Sequence, residues 1–204
     1  MRRLLLPLAL ATAVVPALAQ DVTLVPGTPE ASRVRPGTYE ADSDHTQVAW
    51  SVNHFGISAY HGLFGAIGGR LSIDPSRPAD AALSVTIPIA KVVTTSDELD
   101  VQLRSASFFD AERFPTATFI STRITVKGTA ATIEGNLTLH GVTKPVALNA
   151  RFTGVGDHPM KKVPTIGFEA TTSIKRSDFG ISKYVPLVGD QVELSITAAF
   201  DRQG

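Results

Sequence analysis

From Gly37 onward, apolar and polar residues alternate with a period of two, broken at intervals by short turn-forming clusters. Val48, Trp50, Val52 and His54 share one face of an extended run, with Ala49, Ser51 and Asn53 on the other. Leu83, Val85, Ile87 and Ile89 repeat the pattern, as do Ile133, Gly135, Leu137 and Leu139, then Val146, Leu148, Ala150 and Phe152. Ile166, Phe168, Ala170, Thr172 and Ile174 form another run, and Val192, Leu194, Ile196, Ala198 and Phe200 the last. Between the runs lie Asp74-Pro75-Ser76, Lys127-Gly128-Thr129, His140-Gly141, the stretch from Gly154 to Pro159, and Val188-Gly189-Asp190. Strands with one apolar face, folded back at such turns, predict an all-β protein. The expected form is an antiparallel sheet of about eight strands, closed as a barrel or folded as a sandwich.

One stretch departs from the alternation. Ser96 suits a helix N-cap, Asp97 and Glu98 put negative charge in the first turn, and Leu99 and Leu103 share a helical face. The spacing predicts a helix over about 96–106, ended before Phe114-Pro115 because the residue ahead of a proline is driven to an extended conformation. A lone helix between strands covers one end of a barrel, and Phe108-Phe109 just after it would plug that end.

The chain opens with Met1-Arg2-Arg3, an apolar run from Leu4 to Leu18 interrupted by Pro7, Thr12 and Pro16, and Ala17-Leu18-Ala19. Residues 1–19 read as a signal peptide cut before Gln20; the run is too short for a spanning helix, which needs about 20 apolar residues. A secreted, periplasmic protein without stable membrane insertion is therefore expected. Residues 20–36, with Pro26, Pro29 and Pro36, read as a flexible N-terminal arm, and 37–201 as the single domain. Of the 204 residues, 19 are Lys or Arg and 19 Asp or Glu, so there is no overall basic field to hold nucleic acid. The absence of cysteine excludes disulfides, thiolate metal sites and cysteine nucleophiles.

Four stretches resemble a known family: HFGISAYHGLFGAIGG (54–69), LRSASFFDAERFPTATFIST (103–122), GNLTLHGVTKPVAL (135–148) and RSDFGI (176–181). Together they are similar to the YceI-like family, small secreted bacterial proteins with a lipocalin-like barrel that binds polyisoprenoid lipids. The resemblance runs in order over residues from about 37 to 200. It implies a closed antiparallel barrel with one inserted helix around a long apolar channel. It also implies non-catalytic transport or storage of an isoprenoid quinone or polyprenyl phosphate. The family often carries a histidine just before Leu103-Arg104, where this chain has Gln102. A secreted module that recognises another protein, with a filled core, is the alternative. A homodimer is compatible with either reading, though no residue pattern demands one.

The residues themselves mark no catalytic centre. A strand-to-helix elbow of the G-x-S-x-G type is missing, and Asp42/Asp44 and Asp97/Glu98 read as solvated turn and cap residues. Gly62, Gly65, Gly68 and Gly69 read as bends in a strand. His54 and His61 flank a turn at Gly56 with no third ligand marked, so no metal site is expected. His140 is expected to shape a turn, His158 sits in a loop, and His54 extends the apolar face as a core, rim or head-group residue. Aromatic residues give the better lead. Trp50, Phe119, Phe152 and Phe168 are candidates for a channel wall, and Phe64, Phe108, Phe109 and Phe179 for its ends. With Val52 and His54 they make up the candidate ligand-binding set, although ordinary core packing explains any single aromatic equally well. Gly135, Ala150, Ala170 and Ala198 on the same faces leave room that a filled core would give to Leu or Ile. Arg104, Lys175, Arg176 and Lys183 are candidates to meet a phosphate or quinone head.

Overall fold

The computed structural model describes residues 25–204; the stretch 1–19 expected to be a signal peptide and the first residues of the expected arm lie outside them. Eleven strands build eight staves, because the first three staves are each broken in two. β1 (Gly37–Ala41) and β2 (Gln47–His54) are halves of the first, β3 (Ser58–Phe64) and β4 (Gly68–Ile73) of the second, β5 (Ala82–Pro88) and β6 (Val92–Val93) of the third. β7 (Thr116–Lys127), β8 (Ala130–Leu139), β9 (Val142–Asp157), β10 (Pro164–Lys175) and β11 (Val188–Arg202) are the other five. Neighbouring staves pair antiparallel throughout. β1 also pairs with β11, Tyr39 opposite Arg202 and Ala41 opposite Phe200, so the ring closes. The barrel form is the one adopted, and closure leaves the ring itself no edge for another chain to extend.

The breaks have local causes. Between β1 and β2 the Thr46 hydroxyl replaces ladder partners, donating to the Ala199 carbonyl and accepting from the Ala199 amide. Ala66, between β3 and β4, takes φ 54°, and a short 3-10 turn, Ile89–Lys91, separates β5 from β6. At these bends Ile67 and Ile89 turn inward and are buried. His140 and Gly141, at φ 52° and 75°, form the two-residue turn between β8 and β9 that their sequence predicts.

Helix α1 (Asp97–Arg104) falls within the predicted 96–106, with the Ser96 hydroxyl accepting from the Leu99 amide at its N-cap. Asp100 is buried and accepts from the Thr94 amide and hydroxyl, each at 2.7 Å, which ties the helix to the loop after β6. Asp42, expected in a solvated turn, is only 5% exposed. Burial alone would raise its pKa. The Lys161 ammonium at 2.8 Å and His45 Nδ1 at 2.8 Å overcome that and hold it down to about 2.

Instead of hanging free, the described part of the arm is docked. β9 outruns β8 beyond Arg151, and Thr28 covers that free edge with a pair of backbone hydrogen bonds to Val155. Val34 is buried beside Phe152 and Phe200, and the Tyr39 hydroxyl donates to the Arg35 carbonyl at 2.7 Å.

Candidate functional site

Two cavities fill the barrel end to end. One, of about 410 Å³, lies toward the arm; the other, of about 520 Å³, lies beneath α1. Val48, Ile87, Leu137 and Leu194 belong to both walls, so the cavities adjoin at mid-barrel. Their linings are overwhelmingly aliphatic and aromatic, as the inward faces of alternating strands require.

Nine of the ten candidate binding residues stand on these walls. Trp50, Val52, His54, Phe64, Phe108 and Phe109 line the helix-end cavity, and Phe119, Phe152 and Phe168 the arm-end cavity. Phe179 does not: it ends a 3-10 turn, is buried in the core, and its carbonyl pairs with His140 Nδ1 at 3.0 Å. After the helix, Phe109 packs edge-on to Phe64 at 5.6 Å between ring centres, and both it and Phe108 face the helix-end cavity. Leu99, Gln102 and Leu103 bring α1 into the same wall.

Two glycines keep aromatic rings out of the channel. Trp50 lies across Gly62 and Phe119 across Gly135; a Cβ at either glycine would stand 2.2 Å from Trp50 Cζ2 or 2.4 Å from Phe119 Cζ. Trp50 Nε1, held beneath this packing, has no hydrogen-bond partner among the described residues. Ala150, Ala170 and Ala198 line the arm-end cavity, as their small size suggested.

The helix-end cavity reaches the surface where Phe55, at the β2–β3 turn, and Leu187, 64% exposed, form a rim tied by a hydrogen bond from the Phe55 amide to the Leu187 carbonyl. Tyr184 completes it, with the Lys183 ammonium 5.2 Å from its ring and 5.7 Å from that of Phe108. Arg176, one of the four basic candidates, is on this wall and 8% exposed, four of its five N–H groups donating to backbone carbonyls; burial lowers its pKa. Arg104 reaches back to the Val92 carbonyl at 3.4 Å. Sequence reasoning missed the arm's Ala31, Ser32 and Val34, which line the other end.

His54 and His61 point to opposite faces, inward and outward, and do not meet. A different trio, Asp42, His45 and His158, gathers its donor atoms within 4.8 Å. There the Lys161 ammonium already bridges Asp42 and Asp201, and His158 Nδ1 accepts from the Met160 and Lys161 amides.

A closed eight-stave barrel with an inserted helix and an apolar, cavity-bearing interior is the architecture the four motifs implied. The YceI-like domain model matches residues 39–200. The chain belongs to the YceI-like family. Protein YceI of Salmonella arizonae is 39% identical over 158 residues, covering 78% of this chain and 82% of that protein. The YCEI protein of Campylobacter jejuni, 29% identical, superposes with a TM-score of 0.65 over 74% of this chain and 90% of its own. A polyisoprenoid-binding domain from Saccharophagus degradans, 14% identical, shares the fold with a TM-score of 0.62, covering 83% of this YceI-like chain and all of that domain. Among the described residues no helix is long and apolar enough to cross a membrane.

Proposed function

We propose that this protein binds an isoprenoid lipid, of the quinone or polyprenyl phosphate type, in its barrel channel and carries or stores it in the periplasm without chemically altering it. The observation that carries the reading is the pair of adjoining cavities of about 410 and 520 Å³ with apolar walls. Each methylene buried there contributes about 0.8 kcal/mol, so a long chain binds tightly with few polar contacts. The name of the Saccharophagus domain as polyisoprenoid-binding supports the ligand class. Secretion rests on the signal segment 1–19.

The test is mass spectrometry of an organic extract from protein purified from the periplasm without detergent. A stoichiometric prenyl lipid is the expected result. A fatty amide or fatty acid in its place changes the ligand class and keeps the channel. An empty extract from folded protein that also refuses added prenyl lipid overturns the proposal in favour of a protein-interaction module.

A further inference from the structure

The two cavities differ in the charge their walls carry. In the arm-end wall, Arg151 and Glu169 neutralise each other at 2.6 Å, and the remaining polar side chains, Ser32, Thr46, Thr129 and Thr172, are uncharged hydroxyls. In the helix-end wall, Arg176 is buried with a full charge. Its Nε donates to the Gly189 carbonyl at 2.8 Å, Nη1 to those of Ile181 at 3.0 Å and Lys183 at 2.9 Å, and Nη2 to that of Val188 at 2.9 Å. All four acceptors are neutral. A guanidinium has five N–H groups, so one proton on Nη2 is left without a protein partner. Asp190, the acid whose charge Arg176 feels, spends its oxygens on the Ser177 amide and hydroxyl at 2.9 and 2.7 Å and forms no ion pair with it.

Carbonyl dipoles stabilise a cation without cancelling its charge, and apolar surroundings screen it weakly. The wall of the helix-end cavity therefore carries a buried positive charge that no carboxylate contacts, Asp190 acting on it only through space. Lys183 adds to it at the rim. The side chains of Tyr60, Gln102 and Tyr184 on the same wall make no hydrogen bond to any described residue.

We propose that the helix end of the channel is a head-group site for amphiphiles with a neutral or anionic, acceptor-rich polar end, the tail running past Trp50 toward the arm, and that amine heads are rejected. This rests on the lipid-binding reading above and adds to it an orientation and a head-group class.

The head series uses native protein and three probes of one chain length: stearate, octadecanol and octadecylamine. Binding is followed by fluorescence of Trp50, the one tryptophan in the chain. Octadecylamine is expected to bind at least tenfold more weakly than the other two. Equal affinity for all three overturns the head-group site while leaving the channel intact; binding of none brings down the lipid-binding reading itself. Orientation is read separately. Because the chain has no cysteine, Leu187→Cys at the rim and Ala31→Cys at the arm each accept one thiol-reactive fluorophore. Stearate with a nitroxide beside its carboxylate should quench the rim fluorophore several-fold more than the arm one, and stearate labelled at its methyl end should reverse that ranking. The opposite order overturns the orientation. In Arg176→Gln the discrimination against the amine should shrink below twofold; a full tenfold persisting in folded variant removes Arg176 from the site. If that variant does not fold, the native head series and the two labelled proteins still decide.

Discussion

Trp50 and Phe119 lie flat against the barrel wall because the residues beneath them, Gly62 and Gly135, have no side chain. Replacing Gly62 by alanine puts a methyl 2.2 Å from the indole, so the ring must swing into the channel or the strands must part. Overpacking of this kind costs about 1–3 kcal/mol. Gly62→Ala should lower the melting temperature, shift Trp50 emission and weaken lipid uptake together; wild-type values in all three would show that the ring has slack. The sequence marked Gly62 as a bend. Its actual role was hidden because the ring it accommodates sits on another strand. Charge at the residue scale follows the same logic. Asp42 was read from its neighbours as solvated, yet Lys161, 119 positions away in sequence, reaches it and Asp201 at 2.8 and 2.7 Å. Its folded pKa of about 2 lies below the ordinary 3.8, so the stabilisation is full above pH 3.8 and is lost as pH falls toward 2. The contribution is roughly 2 kcal/mol. Asp42→Asn should trail the native protein in urea unfolding at pH 7, and the gap should narrow steadily below pH 3.8 and close only below about pH 2; a gap independent of pH would refute the linkage.

At the scale of elements, what could be read in advance was whatever depends on near neighbours in the chain. Helix α1 was legible because its signals are local: the Ser96 cap, the acidic first turn, and Leu99 and Leu103 four residues apart. Ser96→Ala should cost about 1 kcal/mol, measured by chemical unfolding, and should speed lipid release because α1 closes the channel through Leu99 and Leu103. An unchanged release rate with the stability loss present would mean that lipid leaves by another route. The long strands were legible for the same reason, since period two is a property of one segment. The arm was not. Its prolines say only that it forms no regular element, whereas its order comes from the edge that β9 leaves open where it outruns β8. The breaks that divide the first three staves were equally hidden, because β11 runs unbroken past the first of them and pairs with both of its halves.

Across the whole molecule, closure of the ring and the choice of small residues together decide whether the interior is filled or hollow. An eight-stave barrel has room for either. Here Ala150 and Ala170 sit opposite one another on β9 and β10, facing inward beside Phe152 and Phe168, and the arm-end cavity is the space they leave. Its length matters only to a ligand whose tail extends past Trp50, which yields a prediction in which chain length is the variable. Ala150→Trp puts an indole into that cavity and leaves the helix-end wall untouched. A long-chain prenyl lipid should then lose the wall contacts of its last few methylenes. At about 0.8 kcal/mol each, three or four of them lower affinity by roughly 50- to 200-fold. A short prenyl alcohol that ends before Ala150 should bind the variant as it binds the native protein. Direct binding measurements on the two ligands, with a thermal melt to establish that the barrel is intact, separate the outcomes. Loss of both would mean that the indole distorts the barrel, and loss of neither that the tail never reaches the arm end. Only selective loss of the long chain makes the two cavities one binding site, with the helix end holding the head and the alanine-lined end measuring the tail.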